Sequence, residues 1–459
     1  MENQLTLIPK GGNIAFNLSE FNTVDSRRYT LYDVMYHPIL DTLSIEERLK
    51  IFDSFYQDLG KNNMLTNDRF ALDGCDTVRT MFDPTSCKTK KMINFGSNDY
   101  LNMSQHPKVI NAAIEAIQQY GTGAGASCNA SGLTKVKIDL EDEIAETFGY
   151  ENAIVFSTGF MTNTGVLGAL LRSQDVALVD MLAHASIMEG VENKNKMLFR
   201  HNNMKSLETV LSRVNRQYTN KIVVVDGVYS MDGDIANLPE ISELCKKYNA
   251  LLMVDEAHAF GVIGKHGLGI LDHFNMKPDS IDILVGTLSK AIGCSGGFVT
   301  GKKELINYLK LASRSYFFTT APFIASTAAA LESIKIIKSD DSRRKDLWKN
   351  INYFKSKLDA SDFNLGAAET AIFPVILGDH NLVMDVTTSM GNEGVLVNGI
   401  PYPAVPRKQT RIRMVVTAEM TNEQLDKGHV ELCNAIYKNK MENENYVSES
   451  LLDYFLQVG

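Results

Sequence analysis

The chain has 459 residues, 44% hydrophobic and 22% charged, with a formal net charge of −9. That length suits two lobes better than one small domain. The acid excess, with a pI near 5.6, argues against nucleic acid as the main partner, because phosphate binding needs a basic face.

The six cysteines, Cys75, Cys87, Cys128, Cys245, Cys294 and Cys433, are scattered. They form no Cys-x-x-Cys pair and no zinc-type spacing with histidine, so free thiols and no metal site are expected. The amino terminus lacks a basic region followed by an apolar core, and no apolar run is long enough to span a bilayer. A cytoplasmic protein with no transmembrane segment is the expectation.

Residues 1–90 read as an amino-terminal extension. Gly11-Gly12-Asn13 and Asn22-Thr23 are turn signals. Ser44, with Glu47 three residues later, predicts a capping box. It opens an amphipathic helix in which Ile45, Leu49, Phe52, Phe55, Tyr56 and Leu59 recur at helical spacing and Gly60 is the stop. Its apolar face could dock on the body, on a partner subunit or on lipid. The body is favoured, since the polar face is not rich in lysine or arginine.

Residues 91–335 read as a large domain. A short strand at Met92–Phe95 precedes a helix through Val109, Ile110, Ala113, Ile114 and Ile117 that ends at Gly121. Apolar, β-branched runs follow at residues 153–156, 176–179, 222–225, 251–254 and 283–285, with helical stretches such as Leu238 to Tyr248 between them. This alternation predicts an α/β fold, a mainly parallel sheet wrapped by helices. A long helical stretch from Pro322 toward Leu358 is expected to link the lobes. Residues 336–440 read as a smaller α+β domain, with strands at 372–377, 395–398 and 411–416 and a helix from about Thr421. In the tail, 441–459, Ser448 to Gly459 suits a short amphipathic helix.

Chemistry-bearing residues gather at predicted strand ends, where open α/β sheets place their ligands. Ser157-Thr158-Gly159-Phe160 follows a strand and opens a helix, so free N–H groups and hydroxyls would face an anion. Gly121 to Ser127 is glycine-rich, but it follows a helix and suits a turn as well as a phosphate cradle. His184 follows another strand, where an imidazole can be structural or can stack on a flat ring. Asp226-Gly227-Val228-Tyr229-Ser230-Met231-Asp232-Gly233-Asp234 lacks the order and final glutamate of an EF-hand loop. Asp255-Glu256-Ala257-His258 ends one strand, and Gly286-Thr287-Leu288-Ser289-Lys290 ends the next. Alone, Asp255 suits a helix cap and Lys290 a solvated surface. Together, a carboxylate for a pyridinium nitrogen and a lysine for a Schiff base are the minimal equipment of pyridoxal phosphate chemistry.

These three stretches, together with Ser97-Asn98-Asp99-Tyr100-Leu101, Phe156 to Phe160, His184-Ala185-Ser186, Phe318-Thr319-Thr320-Ala321-Pro322 and Arg411-Ile412-Arg413, resemble the α-oxoamine synthases in family order over residues 91–435. That family of fold-type-I pyridoxal phosphate enzymes includes serine palmitoyltransferase, 8-amino-7-oxononanoate synthase, 2-amino-3-ketobutyrate ligase and 5-aminolevulinate synthase. The resemblance implies a homodimer with shared active sites and pyridoxal 5'-phosphate as cofactor. It implies Lys290 as Schiff-base lysine and α-proton base, Asp255 on the ring nitrogen, His258 on the phenolic oxygen and His184 stacked on the ring. Thr158, Gly159, Phe160, Thr287 and Ser289 would hold the phosphate, with Thr319 and Thr320 reaching the neighbouring subunit's site. Asn98, Ser230 and Arg413 would bind the amino acid's carboxylate.

The implied reaction is decarboxylating condensation of an amino acid with an acyl thioester, carried by coenzyme A or an acyl-carrier protein. The loop Tyr229-Ser230-Met231, the Val397-Asn398 strand and the amino-terminal extension lean toward the serine palmitoyltransferase branch; biotin-type oxononanoate synthesis is the alternative. A non-catalytic partner subunit and a transaminase are further readings, the first opposed by the retained Lys290 and Asp255. Cys128, Lys135, Lys137, Ala183, the Pro401-Tyr402-Pro403 turn and Met420 depart from common family residues, which leaves the substrates open while Asp255, His258 and Lys290 stand.

Overall fold

The computed structural model describes residues 25–62, 64, 69–84 and 86–442. The turn signals at 11–13 and 22–23 and the 448–459 helix lie outside them.

The strands, in chain order, are β1 Phe70–Ala71, β2 Val78–Asp83, β3 Lys88–Asn94, β4 Asn152–Phe156, β5 Asp175–Asp180, β6 Lys196–Phe199, β7 Asn220–Asp226, β8 Leu251–Asp255, β9 Ile283–Thr287, β10 Gly297–Gly301, β11 Ile372–Ile376, β12 Val395–Leu396, β13 Asn398–Ile400 and β14 Arg411–Val415. Seven form the central sheet in the order β4-β10-β9-β8-β7-β5-β6. Only β10 runs antiparallel to its neighbours. The apolar runs are continuous because helices cover both faces; Val223 and Val225 face one apolar cluster, Ile222 and Val224 the other. Within this sheet, β6 and β10 lie outside the predicted apolar runs. Gly297 and Gly301 give β10 little strand character, and each lies where a Cβ would meet a neighbour within 3 Å.

The parallel register sets the site. Asp226 pairs with Asp255 across β7 and β8, and Asp255 pairs with Val285 on β9. The carboxyl ends of these strands therefore open side by side.

The small lobe carries the sheet β11-β14-β13 and a second sheet, β1-β2-β3-β12. The expected single strand at 395–398 is divided: β12 pairs with β3, and β13 pairs with β14. Residues 70–94 thus contribute strands that join part of the 336–440 segment. The long helix expected after Pro322 is two, Ile324–Ser339 and Ser342–Ala360. Extended Asp340, at φ −135° and ψ 116°, separates them, and its carboxylate accepts from the Ser342 N–H.

The Ser44–Glu47 capping box is present at the start of helix Ile45–Lys61, which runs through Gly60. Ile51 and Phe55 bury against Tyr29, Val34 and Leu40, whereas Ile45, Leu49 and Tyr56 are exposed. Arg27 pairs with Asp385 and Arg407 with Asp33, tying the extension to the small lobe. No described helix is long and apolar enough to cross a membrane.

Candidate active site

A cleft of about 220 Å³ opens at the carboxyl ends of β4, β5, β7, β8 and β9. Of the expected residues, Thr158, Gly159, Phe160, His184, Asp255, His258, Thr287, Ser289 and Lys290 line it. Asn163, Ser186 and Asp226 line it too, and had not been anticipated as site residues.

Asp255 is buried, and both of its oxygens are occupied. Oδ1 accepts from the Ala257 N–H at 2.9 Å and Oδ2 from Asn163 Nδ2 at 2.7 Å. Asn163 stands on the second turn of helix Gly159–Leu170, and its Nδ2 also donates to Ser186 Oγ at 2.9 Å. The Ser186 hydroxyl is thereby left to donate to His184 Nδ1 at 2.7 Å, and Nδ1 also accepts from the Ser186 N–H. Two donors on Nδ1 assign the proton of a neutral His184 to Nε2. Burial lowers the imidazole's pKa against the pull of Asp255, and Lys290 lowers it further. One chain of contacts, His184–Ser186–Asn163–Asp255, therefore fixes the ring and the carboxylate together.

His258 is the better-shielded imidazole. Burial first, then Lys290, Arg413 and His184, hold it well below its ordinary range. The Tyr100 hydroxyl lies 2.6 Å from His258 Nδ1. Burial pushes that phenol up to about 12, so it stays protonated and donates. His258 is left with Nε2–H as a fixed donor. The Lys290 amine is brought down to about 8 by burial, with Asp255 opposing and Arg413 assisting. Asp226, buried beside Asp255, is pushed up by burial and by that neighbouring carboxylate.

At the other end of the cleft, helix Gly159–Leu170 starts with its first N–H groups directed outward, the arrangement that binds anions. Thr158 Oγ1 accepts from the Met161 N–H at 3.1 Å. The Thr287 and Ser289 hydroxyls lie 2.8 Å apart on the facing loop. A Cβ on residue 159 would come within 2.9 Å of Thr287 Oγ1, so glycine is what lets the two approach. A phosphate cradle at one end, and a held carboxylate with a depressed lysine at the other, fit pyridoxal phosphate.

Arg413, Asn98 and Ser230 form a separate group beside the cleft. Arg413 Nε donates to the Ser230 carbonyl at 2.6 Å, and Nη2 donates to Asn98 Oδ1 at 3.1 Å. Ser230 takes part through its backbone; its side chain does not line the cleft. Neither Thr319 nor Thr320 lines this chain's own cleft; the Thr320 carbonyl accepts from Ser157 Oγ at 3.3 Å. The departures Cys128 and Lys137 are also absent from the lining. Lys137 is buried in an ion pair with Glu141.

The residues missed had partial signals. Asp226 ends β7 as Asp255 ends β8 and opens a motif of the family resemblance, in which only Ser230 carries an expected role. Tyr100 lay inside a quoted motif, but nothing in sequence pairs it with His258.

The family described as Aminotransferase class I and II matches residues 90–432. An 8-amino-7-oxononanoate synthase of Thermoanaerobacter pseudethanolicus is 44% identical over 73% of this chain and 86% of its own length. A serine palmitoyltransferase of Sphingobacterium spiritivorum is 39% identical over 73% of this chain and 84% of its own. A serine palmitoyltransferase structure from S. paucimobilis, with bound PLP, superposes with a TM-score of 0.81 at 29% identity, covering 86% of this chain and 99% of the other. With that likeness added to the cleft, the chain belongs to the aminotransferase class I and II family, as an α-oxoamine synthase that uses pyridoxal phosphate to condense an amino acid with an acyl thioester and release carbon dioxide.

Proposed function

We propose that the reaction is of the 8-amino-7-oxononanoate synthase kind. Cutting that product between its keto and amino carbons leaves a seven-carbon acyl group with a distal carboxylate and a two-carbon amine, which is alanine less the carboxylate lost as carbon dioxide, so alanine and that acyl thioester are the substrates proposed. The observation that carries the reading is the 44% identity over most of both chains, with further oxononanoate synthases at 41–42%. The lean toward sphingoid-type synthesis is supported less well: the serine palmitoyltransferase of Sphingobacterium spiritivorum is 39% identical, against 44% for the oxononanoate synthase of Thermoanaerobacter pseudethanolicus. The TM-score of 0.81 keeps serine with a long acyl thioester as the second reading.

The residues divide the work. Bound pyridoxal phosphate supplies an electron sink for charge developing at the amino acid's α-carbon. Asp255, held by Asn163 and the Ala257 N–H, presents a carboxylate that does not rotate. Arg413 pairs with the substrate carboxylate. The Lys290 amine, at about 8, is in part neutral near neutral pH and takes the α-proton. The new carbon–carbon bond forms at the acyl carbonyl as the thiol leaves, and the original carboxylate departs as carbon dioxide.

We also propose that the enzyme works as a homodimer, with Thr319 and Thr320 completing the partner's phosphate site. Their position outside their own cleft and the exposed Phe318 beside them support this. Light scattering tests it: a monomer that is fully active refutes it.

The experiment for function supplies glycine, alanine, serine or cysteate with a seven-carbon carboxyacyl thioester or a palmitoyl thioester, on coenzyme A or an acyl-carrier protein. Carbon dioxide release with alanine and the carboxyacyl donor supports the proposal. Turnover only with serine and palmitoyl donor transfers it to the second reading. Amino transfer to a keto acid without an acyl donor, or no turnover with any pair, rejects both.

A further inference from the structure

His201 lies outside the cleft, and each of its two ring nitrogens faces a carboxylate. Its Nδ1 stands 3.0 Å from Asp180 Oδ1, at the end of β5, and its Nε2 stands 3.1 Å from Asp234 Oδ2. Asp180 is fully buried and Asp234 nearly so. A neutral imidazole has one N–H and would turn a lone pair toward one of these carboxylates; only the imidazolium satisfies both. The groups facing the ring from the elements around it are Asp180, Asp234 and Tyr229, whose ring packs edge-on at 4.4 Å. Hydrogen bonds and charge from the two aspartates outweigh burial and push His201 up to about 10.

The neighbouring Asn202 adds rigidity. Its N–H donates to Asp180 Oδ2 at 2.8 Å, and its side chain donates to Asp234 Oδ2 at 3.1 Å and to the Ile235 carbonyl at 2.9 Å.

What this clamp holds is the turn 229–234. The turn closes on itself through Gly233 N–H to the Tyr229 carbonyl and Tyr229 N–H to the Asp234 carbonyl. Its outer carbonyls meet the small lobe: Ser230 accepts from Arg413 Nε at 2.6 Å and Met231 from Arg411 Nη1 at 2.8 Å, and the Asp232 carboxylate takes the same Arg411 nitrogen. The turn thus lies between a doubly bonded histidine on the large lobe and the arginine beside the cleft.

We infer that His201 is a positioning residue for amino-acid binding: by bridging Asp180 and Asp234 it fixes the 229–234 turn, whose Ser230 carbonyl aims Arg413 at the substrate carboxylate. The inference rests on the carboxylate role of Arg413 given above. His201 does not itself line the cleft, so its loss acts through Arg413. It should weaken ligands that carry a carboxylate and spare those that do not.

The test uses holoenzyme, with the cofactor's visible absorbance reporting titration by alanine and by alaninamide, which lacks the carboxylate. His201→Gln is expected to weaken alanine about tenfold, the scale of one strained charge-assisted hydrogen bond, and to leave alaninamide within about twofold. Asp234→Asn, a milder change that decides the matter if the histidine variant fails to fold, should move alanine in the same direction. Arg413→Gln is the reference arm and should weaken alanine alone. If Arg413→Gln weakens alanine while the His201 and Asp234 variants leave it unchanged, the positioning role is overturned and the carboxylate reading stands. Equal weakening of alanine and alaninamide in those variants also overturns it, by showing a general structural effect. If Arg413→Gln leaves alanine binding intact, the carboxylate reading itself falls.

Discussion

Asn163→Leu is the sharpest test of the site geometry, because nothing at residue 163 would react with substrate. The side chain is buried, and its Nδ2 serves both Asp255 Oδ2 at 2.7 Å and Ser186 Oγ at 2.9 Å. Leucine keeps the volume and removes the donor. Asp255 Oδ2 then lies in the buried site without the amide that donated to it, a loss of about 1.5–3 kcal/mol for a hydrogen bond to a charged group. Ser186 and His184 lose their link to the carboxylate as well. At 1.4 kcal/mol per factor of ten, cofactor affinity should weaken about 10- to 150-fold if the whole loss appears in binding. The assay is fluorescence titration of apoenzyme with pyridoxal phosphate, with urea unfolding of the same samples to find any share expressed as stability. An unchanged cofactor Kd together with an unchanged urea midpoint would refute the argument, since the lost bond must appear in one of the two.

Other outcomes follow from the same coordinates. Gly159→Ala places a Cβ 2.9 Å from Thr287 Oγ1; overpacking of about 1–3 kcal/mol should lower affinity for the cofactor's phosphate, and inorganic phosphate competition reads it. Once the amino acid has displaced it, the Lys290 amine must be neutral to take a proton, and its depressed value of about 8 means that kcat, which reports groups in the bound complex, should rise with pH and level off above about 8; a kcat profile flat from pH 6 to 9 contradicts this. His201 is raised from 6.5 unfolded to about 10 folded. Its contribution to stability is therefore complete below about 6.5, declines as pH rises, and is gone above about 10. Urea midpoints measured across that window should fall for the wild type and fall less for His201→Gln. Ser44→Ala removes the capping-box hydroxyl and should cost the extension about 1 kcal/mol, seen as faster proteolysis near helix Ile45–Lys61 with turnover unchanged.

Residue order alone indicates the kind of chemistry. A reaction needs particular groups, and a parallel sheet delivers them at strand ends in chain order, so Gly159, His184, Asp255 and Lys290 could be picked out from β-branched runs followed by polar residues. Local devices were legible for the same reason: the Ser44–Glu47 cap involves residues three apart, and the helix from Pro107 ends at Gly121. Tertiary structure decided the rest. Asn163 lies 92 residues before Asp255 and Tyr100 lies 158 before His258; no local pattern encodes a contact made by packing distant segments. Strands β6 and β10 take their extended form from neighbouring strands more than from their own residues. The pairing of β12 with β3 joins the chain's beginning to its small lobe, and the turn 229–234, read first as a metal-loop candidate, became an arginine support only when β14 was packed against it. Residue types set what the cleft can do, while hydrogen bonds across large sequence separations decided which groups are charged, which are fixed and where each one points.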